Sequence, residues 1–112
     1  MPRREGTSSD AKSWRSSGFV VPAVSLLRAL ANADRLLLVC SLDHEERCVS
    51  DLAVETGIRQ PTLSQQLGVL REQGLVTTRR EGKKIFYRLS NPEASKFLVV
   101  LRKLYPPVPG RV

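Results

Sequence analysis

Apolar residues recur at helical spacing in the middle of the chain. Between Pro61 and Gly74, the residues Leu63, Leu67 and Leu70 follow one another at i, i+4 and i+7. This spacing is typical of an amphipathic helix with one buried face. Proline is tolerated at the first position of a helix, and glycine is frequent just after the last. The pattern therefore predicts a helix that begins at Pro61 and is closed by Gly74.

A second, shorter apolar pattern precedes this helix. Val49, Leu52 and Ala53 have helical spacing, and Ser50 is placed to cap the free N–H groups of the first turn. Gly57 supplies the positive φ that ends a helix and turns the chain. Two helices joined by a tight glycine turn predict a helix-turn-helix unit.

The polar face of the second helix carries small, uncharged residues that are rich in hydrogen-bonding groups. A helix with such a face can approach the base edges of DNA while its leucines anchor it to a core. Helix-turn-helix units also occur as plain packing motifs, and that alternative stays open at this point. The residues that we expect at base edges or adjacent phosphates in the major groove are Gln60, Thr62, Ser64 and Gln65.

A basic hairpin is predicted directly after the helix. Leu75–Arg80 and Lys84–Ser90 contain β-branched and aromatic residues and are predicted to be strands, with the turn at 81–83. Cations cluster around the turn, where Glu81 is the single acid. A charge cluster is often only a solvated face, but one beside a candidate recognition helix favours a wing that follows the phosphate backbone. The residues that we expect at phosphates are Arg79, Arg80, Lys83 and Lys84.

The flanking segments predict further helices. Phe19–Leu30 has one apolar face, and Arg35–Leu42 is apolar nearly all round, so we expect the latter helix to be central and buried. A last helix follows a cap at Ser90 or Asn91, and its apolar positions cover more than one face. One small core cannot cover this surplus, so we expect a two-fold homodimer, which also places two recognition helices on one side of a duplex.

The predicted architecture is a single domain of mainly α class with a small β-hairpin wing (α+β), a dimeric winged helix-turn-helix. Residues 1–18 are predicted to be a flexible basic tail, residues 19–105 the DNA-binding and dimerisation domain, and residues 106–112 a proline-rich C-terminal tail. A short strand at residues 47–49 is expected beside the wing.

Charge and composition narrow the function. The 112 residues carry a formal net charge of +7, which suits a polyanionic partner such as double-stranded DNA. No apolar run reaches the roughly 20 residues of a membrane span, and we expect a cytoplasmic protein with no membrane partner. With one histidine and no readable nucleophile–base pair or phosphate loop, we expect no catalytic residues and no cofactor.

Two segments closely resemble the ArsR/SmtB family of bacterial repressors. They are LLRALANADRLLLVCSL at residues 26–42 and RQPTLSQQLGVLREQGLVTTRREGKKIFYRL at residues 59–89, and the likeness extends over roughly residues 20–105. The resemblance implies a dimeric winged-helix repressor that leaves its palindromic operator when it binds metal or when its cysteines are modified. Within this family, the sequence most resembles the thiol-based subgroup.

The family's inducer sites are incomplete in this chain. Arsenic-sensing members carry two cysteines where this chain has Cys48-Val49-Ser50, and a lone thiol does not chelate. Zinc and nickel sensors use histidine and carboxylate ligands on the last helix, where this chain offers only Glu93. We therefore expect no metal site. The thiol subgroup pairs a cysteine at the position of Cys40 with one at the position of Pro106, so its usual bridge cannot form here.

The remaining thiols leave several alternatives open. Cys40 and Cys48 form a redox pair, or both are inert packing thiols and the regulator has no direct chemical inducer. A winged helix that is architectural or binds a protein partner is a further alternative. Because Cys40 lies among leucines and Cys48 follows a charged turn, we expect Cys40 to be buried and Cys48 to be the more accessible of the two.

Overall fold

The computed structural model describes residues 14–109. Along this range the elements are α1 (Val20–Leu30), α2 (Ala33–Leu42), β1 (Arg47–Cys48), α3 (Val49–Thr56), α4 (Thr62–Glu72), β2 (Val76–Glu81), β3 (Lys84–Leu89) and α5 (Pro92–Leu104). The predicted order of helices and the hairpin is confirmed. Of the tail predictions, residues 1–13 and 110–112 lie outside the described residues, and residues 14–16, predicted as tail, are helical.

Leucines from all the major helices meet in one core. The fully buried side chains come from α2, α3, α4 and α5, and those of Val76 and Leu75 close the core at the base of the hairpin. Burying a leucine side chain stabilises the fold by about 1.5–3 kcal/mol, so these residues fix how the helices pack. The largest are Leu38, Leu42, Leu52, Leu63, Leu67, Leu70 and Leu98.

Asparagine side chains cap two of the helices, and the cap of the last helix is one of the two residues predicted for it. The Asn32 side-chain oxygen accepts from the backbone N–H of Arg35 at 3.0 Å, and that of Asn91 accepts from Ala94 at 2.9 Å. The predicted Ser50 cap of α3 is wrong. β1 runs up to Cys48, so α3 begins directly after the strand and Ser50 is already its second residue.

The turn between the two helices of the helix-turn-helix unit lies at Gly57, as predicted. Gly57 has φ 74° and donates its N–H to the carbonyl oxygen of Ala53 at 3.0 Å, which ends α3. α4 begins at Thr62, so Pro61 immediately precedes the helix and is not its first residue as predicted. Gly74, with φ 74°, lies two residues after Glu72, where α4 ends.

The prediction that α2 is buried nearly all round is wrong. Leu38, Val39 and Leu42 are buried against α1, α3 and α4, whereas Leu37 is 49% exposed and Cys40 is also exposed. The reason is that α5 covers the remaining face of α2 only in part and leaves a groove between them.

The strands form an antiparallel sheet in the order β1–β3–β2. Val76 lies opposite Leu89, and Glu81 lies opposite Lys84, so Gly82 and Lys83 alone make the turn. The predicted start of the second strand at Lys84 is confirmed, and the other three predicted strand boundaries move by one residue. Arg47 lies opposite Tyr87, which confirms the expected short strand beside the wing.

Arg35 ties three helices together through its guanidinium group. Its Nε donates to the carbonyl oxygen of Ala29 at 2.6 Å and its Nη2 to that of Arg28 at 3.1 Å, both in the last turn of α1. Its Nη1 donates to Oε1 of Gln66 on α4 at 2.7 Å. These contacts set the position of α4 relative to α1 and α2.

No helix among residues 14–109 is long and apolar enough to cross a membrane.

Candidate nucleic-acid interface

α4 separates its apolar and polar residues onto opposite faces. Leu63, Leu67 and Leu70 are at most 1% exposed, whereas Ser64 and Gln65 are exposed and Thr62 is half-buried. The predicted apolar stripe is thus confirmed, and it anchors α4 to the core. Of the four predicted contact residues, Ser64 and Gln65 lie on the outward face of the helix and Thr62 lies at its edge. Gln60, the fourth, is exposed just before the helix.

Gly68 leaves a gap in the exposed face of α4. A Cβ atom at this position would meet no atom within 4 Å, and the backbone conformation is ordinary for a helix. Glycine inside a helix costs about 0.5–1 kcal/mol relative to alanine, so packing within the chain does not account for it. The missing side chain lets an external surface come close to the helix backbone.

The glutamines around α4 have different partners. Gln60 accepts a hydrogen bond from the backbone N–H of Ser64, with 3.0 Å between Oε1 and N. Gln66 is half-buried and accepts from Arg35. Gln65 is exposed on the polar face. The sequence pattern did not separate Gln60 as a helix cap, because its partner lies one turn ahead and glutamine is an unusual capping residue.

The wing exposes most of its cations. Arg80, Lys83 and Lys84 are exposed around the two-residue turn, as expected for a surface that follows phosphates. Side chains alternate across a strand, so Arg79 and Arg80 lie on opposite faces of the hairpin. The four predicted phosphate contacts therefore do not share one face.

Arg79 is held by two carboxylates. Its guanidinium donates to both oxygens of Glu46, each at 2.7 Å, and to Oε1 of Glu81 at 2.6 Å. Its Cζ lies 4.6 Å from the centroid of the Phe86 ring. The hydrogen bonds to Glu46 and Glu81 raise the pKa of Arg79 and lower that of Glu46. No sequence pattern indicated Glu46, because it lies 33 residues before Arg79.

The expected accessibility of the two cysteines is reversed. Cys48 is 4% exposed, and its Sγ lies 3.2 Å from Oγ of Ser50 and 3.3 Å from Oδ2 of Asp51. It is covered because it lies in β1, opposite Phe86 of β3. Cys40, expected to be buried, is exposed, and both thiols are free.

Cys40 opens into the groove between α2 and α5. The groove is lined by Leu36, Leu98, Leu101, Arg102 and Tyr105, whereas Cys48 borders a different surface beside the wing turn. Partial burial raises the pKa of the Cys40 thiol; Arg102 opposes this shift and Asp43 adds to it. Exposure and partial desolvation coexist because the sulfur lies in a shallow apolar groove.

Metal ligands do not converge within the described part of the chain. Among residues 14–109 there is no group of three or more His, Cys, Asp or Glu side chains that could hold an ion. His44 is an exposed turn residue with φ 72°, and its Nε2 lies 3.5 Å from Oδ2 of Asp43.

The first and last helices carry exposed apolar side chains. On α1 Val21 is 77% exposed and Leu27 49%, and on α5 Leu104 is 65% exposed. Exposed apolar side chains concentrated on two helices are typical of a surface that contacts another protein. Further exposed members are Phe19, Val20, Val99, Val100 and Tyr105.

Comparison with known proteins identifies the family. Residues 26–78 match the model described as bacterial regulatory protein, arsR family. A biofilm growth-associated repressor from Agrobacterium fabrum is 51% identical over 80 residues, which are 71% of this chain and 68% of that protein. The chain belongs to the arsR family. The members of this family are DNA-binding transcriptional regulators rather than enzymes.

Solved structures agree with this assignment. The transcriptional repressor BigR from Xylella fastidiosa is 40% identical, with a TM-score of 0.76 over 90% of this chain and 98% of that one. A homodimeric winged helix-turn-helix DNA-binding domain from Mycobacterium bovis is 30% identical, with a TM-score of 0.69 over 80% of this chain and 83% of that one. The predicted winged helix-turn-helix fold of this ArsR-family chain is confirmed.

Proposed function

We propose that this protein is a homodimeric transcriptional repressor that binds a palindromic operator. The observation that carries the proposal is the division of α4: Leu63, Leu67 and Leu70 are buried, while Ser64, Gln65 and the bare backbone at Gly68 face outward. The wing that follows α4 in the chain exposes Lys83 and Lys84 at its turn. A recognition helix and a basic wing together supply base readout and phosphate contacts.

The apolar surfaces of α1 and α5 support assembly as a homodimer. Pairing them with the same surfaces of a second copy removes exposed side chains such as Val21 and Leu104 from water. The Mycobacterium bovis relative is described as homodimeric, which supports the same arrangement. A two-fold dimer presents two recognition helices about one helical turn of DNA apart, roughly 34 Å, and this geometry fits a palindrome.

Contacts to DNA are proposed residue by residue. In the major groove, base edges or adjacent phosphates are contacted by Gln60, Thr62, Ser64 and Gln65. Phosphates beside the wing are neutralised by Arg80, Lys83 and Lys84. Arg79, also predicted at phosphates, already has two carboxylate partners. Its charge is therefore balanced within the chain, whereas among residues 14–109 no ion pair involves Arg80, Lys83 or Lys84.

Selection of bound duplexes from a random pool tests this proposal. We expect enrichment of one palindromic sequence, and a weaker, salt-sensitive affinity for scrambled DNA. An architectural winged helix would enrich no sequence, and a winged helix that binds a protein would enrich no duplex. In cells, a reporter behind the selected operator distinguishes repression from activation, since the Agrobacterium relative is named a repressor and HlyU of Vibrio cholerae an activator.

Response to reactive sulfur or oxidants through Cys40 is the second candidate function. The exposure of the Cys40 thiol in the groove between α2 and α5 favours it. α5 belongs to the proposed dimer surface, so an adduct in this groove would displace a helix that positions the two recognition helices. A pair formed by Cys40 and Cys48 has less support, because Cys40 opens into this groove whereas Cys48 is buried beside the wing turn. Operator titration before and after thiol modification separates a sensor from a repressor without a direct inducer.

A further inference from the structure

Glu46, an acidic residue that we do not expect to contact DNA, connects the wing to the rest of the domain. Glu46 lies in the turn before β1, and its two carboxylate oxygens accept from Nε and Nη2 of Arg79 on β2, both at 2.7 Å. The third nitrogen, Nη1, donates to Glu81 at 2.6 Å, and Phe86 lies under the guanidinium plane at 4.6 Å. Each of the three nitrogens of the Arg79 group therefore donates to a carboxylate, and one face of the group lies against a ring.

This contact spans the width of the sheet. In the order β1–β3–β2 the outer strands do not touch each other, and Phe86 of β3 lies opposite both Cys48 of β1 and Arg79 of β2. Residues opposite one another share a face of the sheet. Arg79 consequently reaches over Phe86 to the segment that leads into β1. It thereby connects β2, the edge strand of the wing, to the opposite edge of the sheet.

Electrostatics alone argues against an acid at this place. A carboxylate near a phosphate-binding wing repels DNA, and an isolated exposed ion pair adds little stability. A bidentate pair between arginine and carboxylate, by contrast, fixes a geometry, because the planar fork of the guanidinium matches the two oxygens. The task that suits Glu46 is to orient the wing.

We propose that Glu46 is a positioning residue for operator binding, and that Arg79 acts as its brace and not as a phosphate contact. The pair ties β2, across β3, to the segment that leads into β1, so that Arg80, Lys83 and Lys84 meet the phosphates while α4 occupies the groove. This inference rests on the proposed function, since it concerns how the wing meets DNA.

The test compares Glu46→Gln with Glu45→Gln. Both substitutions remove one negative charge from the same turn, but Glu45 pairs with Arg47 and not with the wing. Affinity for the selected operator is measured by fluorescence anisotropy at several salt concentrations. We expect Glu46→Gln to weaken binding about two- to fivefold, the range of a surface pair, although it makes the protein more positive. Glu45→Gln should bind equally or more tightly. Tighter binding by Glu46→Gln would overturn the proposal.

A second comparison separates bracing from direct binding of a phosphate. Arg79→Lys keeps the charge and removes the fork, so it should weaken binding as Glu46→Gln does, with an unchanged dependence on salt. A residue that binds a phosphate would instead tolerate lysine, and Arg79→Gln would then lower the salt slope by about 0.9 for the phosphate lost in each half-site. That pattern contradicts the brace.

Amide hydrogen exchange tests, in the absence of DNA, whether Glu46 holds the wing in place. Residues 76–89 should exchange faster in Glu46→Gln than in Glu45→Gln, since the wing no longer has its tie. Equal exchange in the two variants overturns the brace. If the unmodified protein enriches no duplex from a random pool, the proposed function fails, and the exchange result still decides whether Glu46 holds the wing.

Discussion

The side-chain oxygen of Gln60 accepts a hydrogen bond from the backbone N–H of Ser64 at 3.0 Å, at the start of the recognition helix. A backbone N–H is always a donor, so the atom that faces it must be Oε1 and not Nε2. The amide orientation of Gln60 is thereby determined, and its NH₂ group is the part that we expect to meet DNA. Guanine and thymine present acceptors in the major groove, whereas cytosine presents a donor.

Gln60→Glu should reverse a base preference. The carboxylate keeps the acceptor for Ser64 but has no donor, so the unmodified protein should enrich guanine or thymine and deplete cytosine at one position of each half-site, and the variant should enrich cytosine. Sequencing of pools selected by each protein measures this. Gln60→Ala is the control, which should show no preference at that position. Retention of the original base by Gln60→Glu would show that Gln60 does not read it.

Gly68→Ala should have opposite effects on folding and on binding. Nothing lies within 4 Å of the added methyl group in the free chain, so thermal or urea unfolding should show a gain of about 0.5–1 kcal/mol. At the operator the same methyl group should cost roughly 1 kcal/mol or more, because the helix can no longer approach as closely. Unaltered operator affinity would mean that this side of α4 does not face DNA.

Local patterns predicted the elements and the core, but not the contacts between distant segments. The leucines of α4, the glycine at position 57 and the Asn91 cap follow from spacing and from backbone chemistry within one turn. The ion pair of Glu46 with Arg79 joins residues 33 apart in the chain, and no local pattern encodes it.

The cysteines illustrate the same limit. Cys40 lies in an apolar run, and yet the helix face on which it lies is only partly covered by α5. Cys48 follows charged residues, and yet a strand covers it. Accessibility depended on which elements became neighbours, and hydropathy along the chain does not contain that information.

Val100→Glu should dissociate the proposed dimer without unfolding the protomer. Val100 is 49% exposed on α5, so a charge there enters the proposed seam between copies but not the core. Sedimentation velocity at micromolar concentration should give a dimer for the unmodified protein and a monomer for the variant, with similar circular dichroism. Val54→Glu is the matched control, because Val54 is 86% exposed on α3, outside that seam. A monomeric unmodified protein would contradict the assignment.

Cys40 should be alkylated before Cys48, but slowly at neutral pH. Partial burial raises the pKa of the Cys40 thiol, so its thiolate fraction at pH 7 lies below that of an ordinary cysteine and should grow about tenfold per pH unit until the pKa is reached. Arg102 lowers this pKa, so Arg102→Ala should slow the reaction further. Mass spectrometry of peptides after timed iodoacetamide treatment measures both rates. Faster labelling of Cys48 would contradict the geometry of the groove.

Titration of the selected duplex with defined amounts of protein tests the central claim most directly. We predict saturation at two chains per palindromic site and strong preference over a scrambled duplex of equal length. Lys83→Ala should weaken both complexes alike and reduce the salt slope by about 0.9 for each phosphate that is no longer neutralised. Equal affinity for palindromic and scrambled DNA, or saturation at one chain per site, would contradict an operator-binding dimer that reads bases through α4.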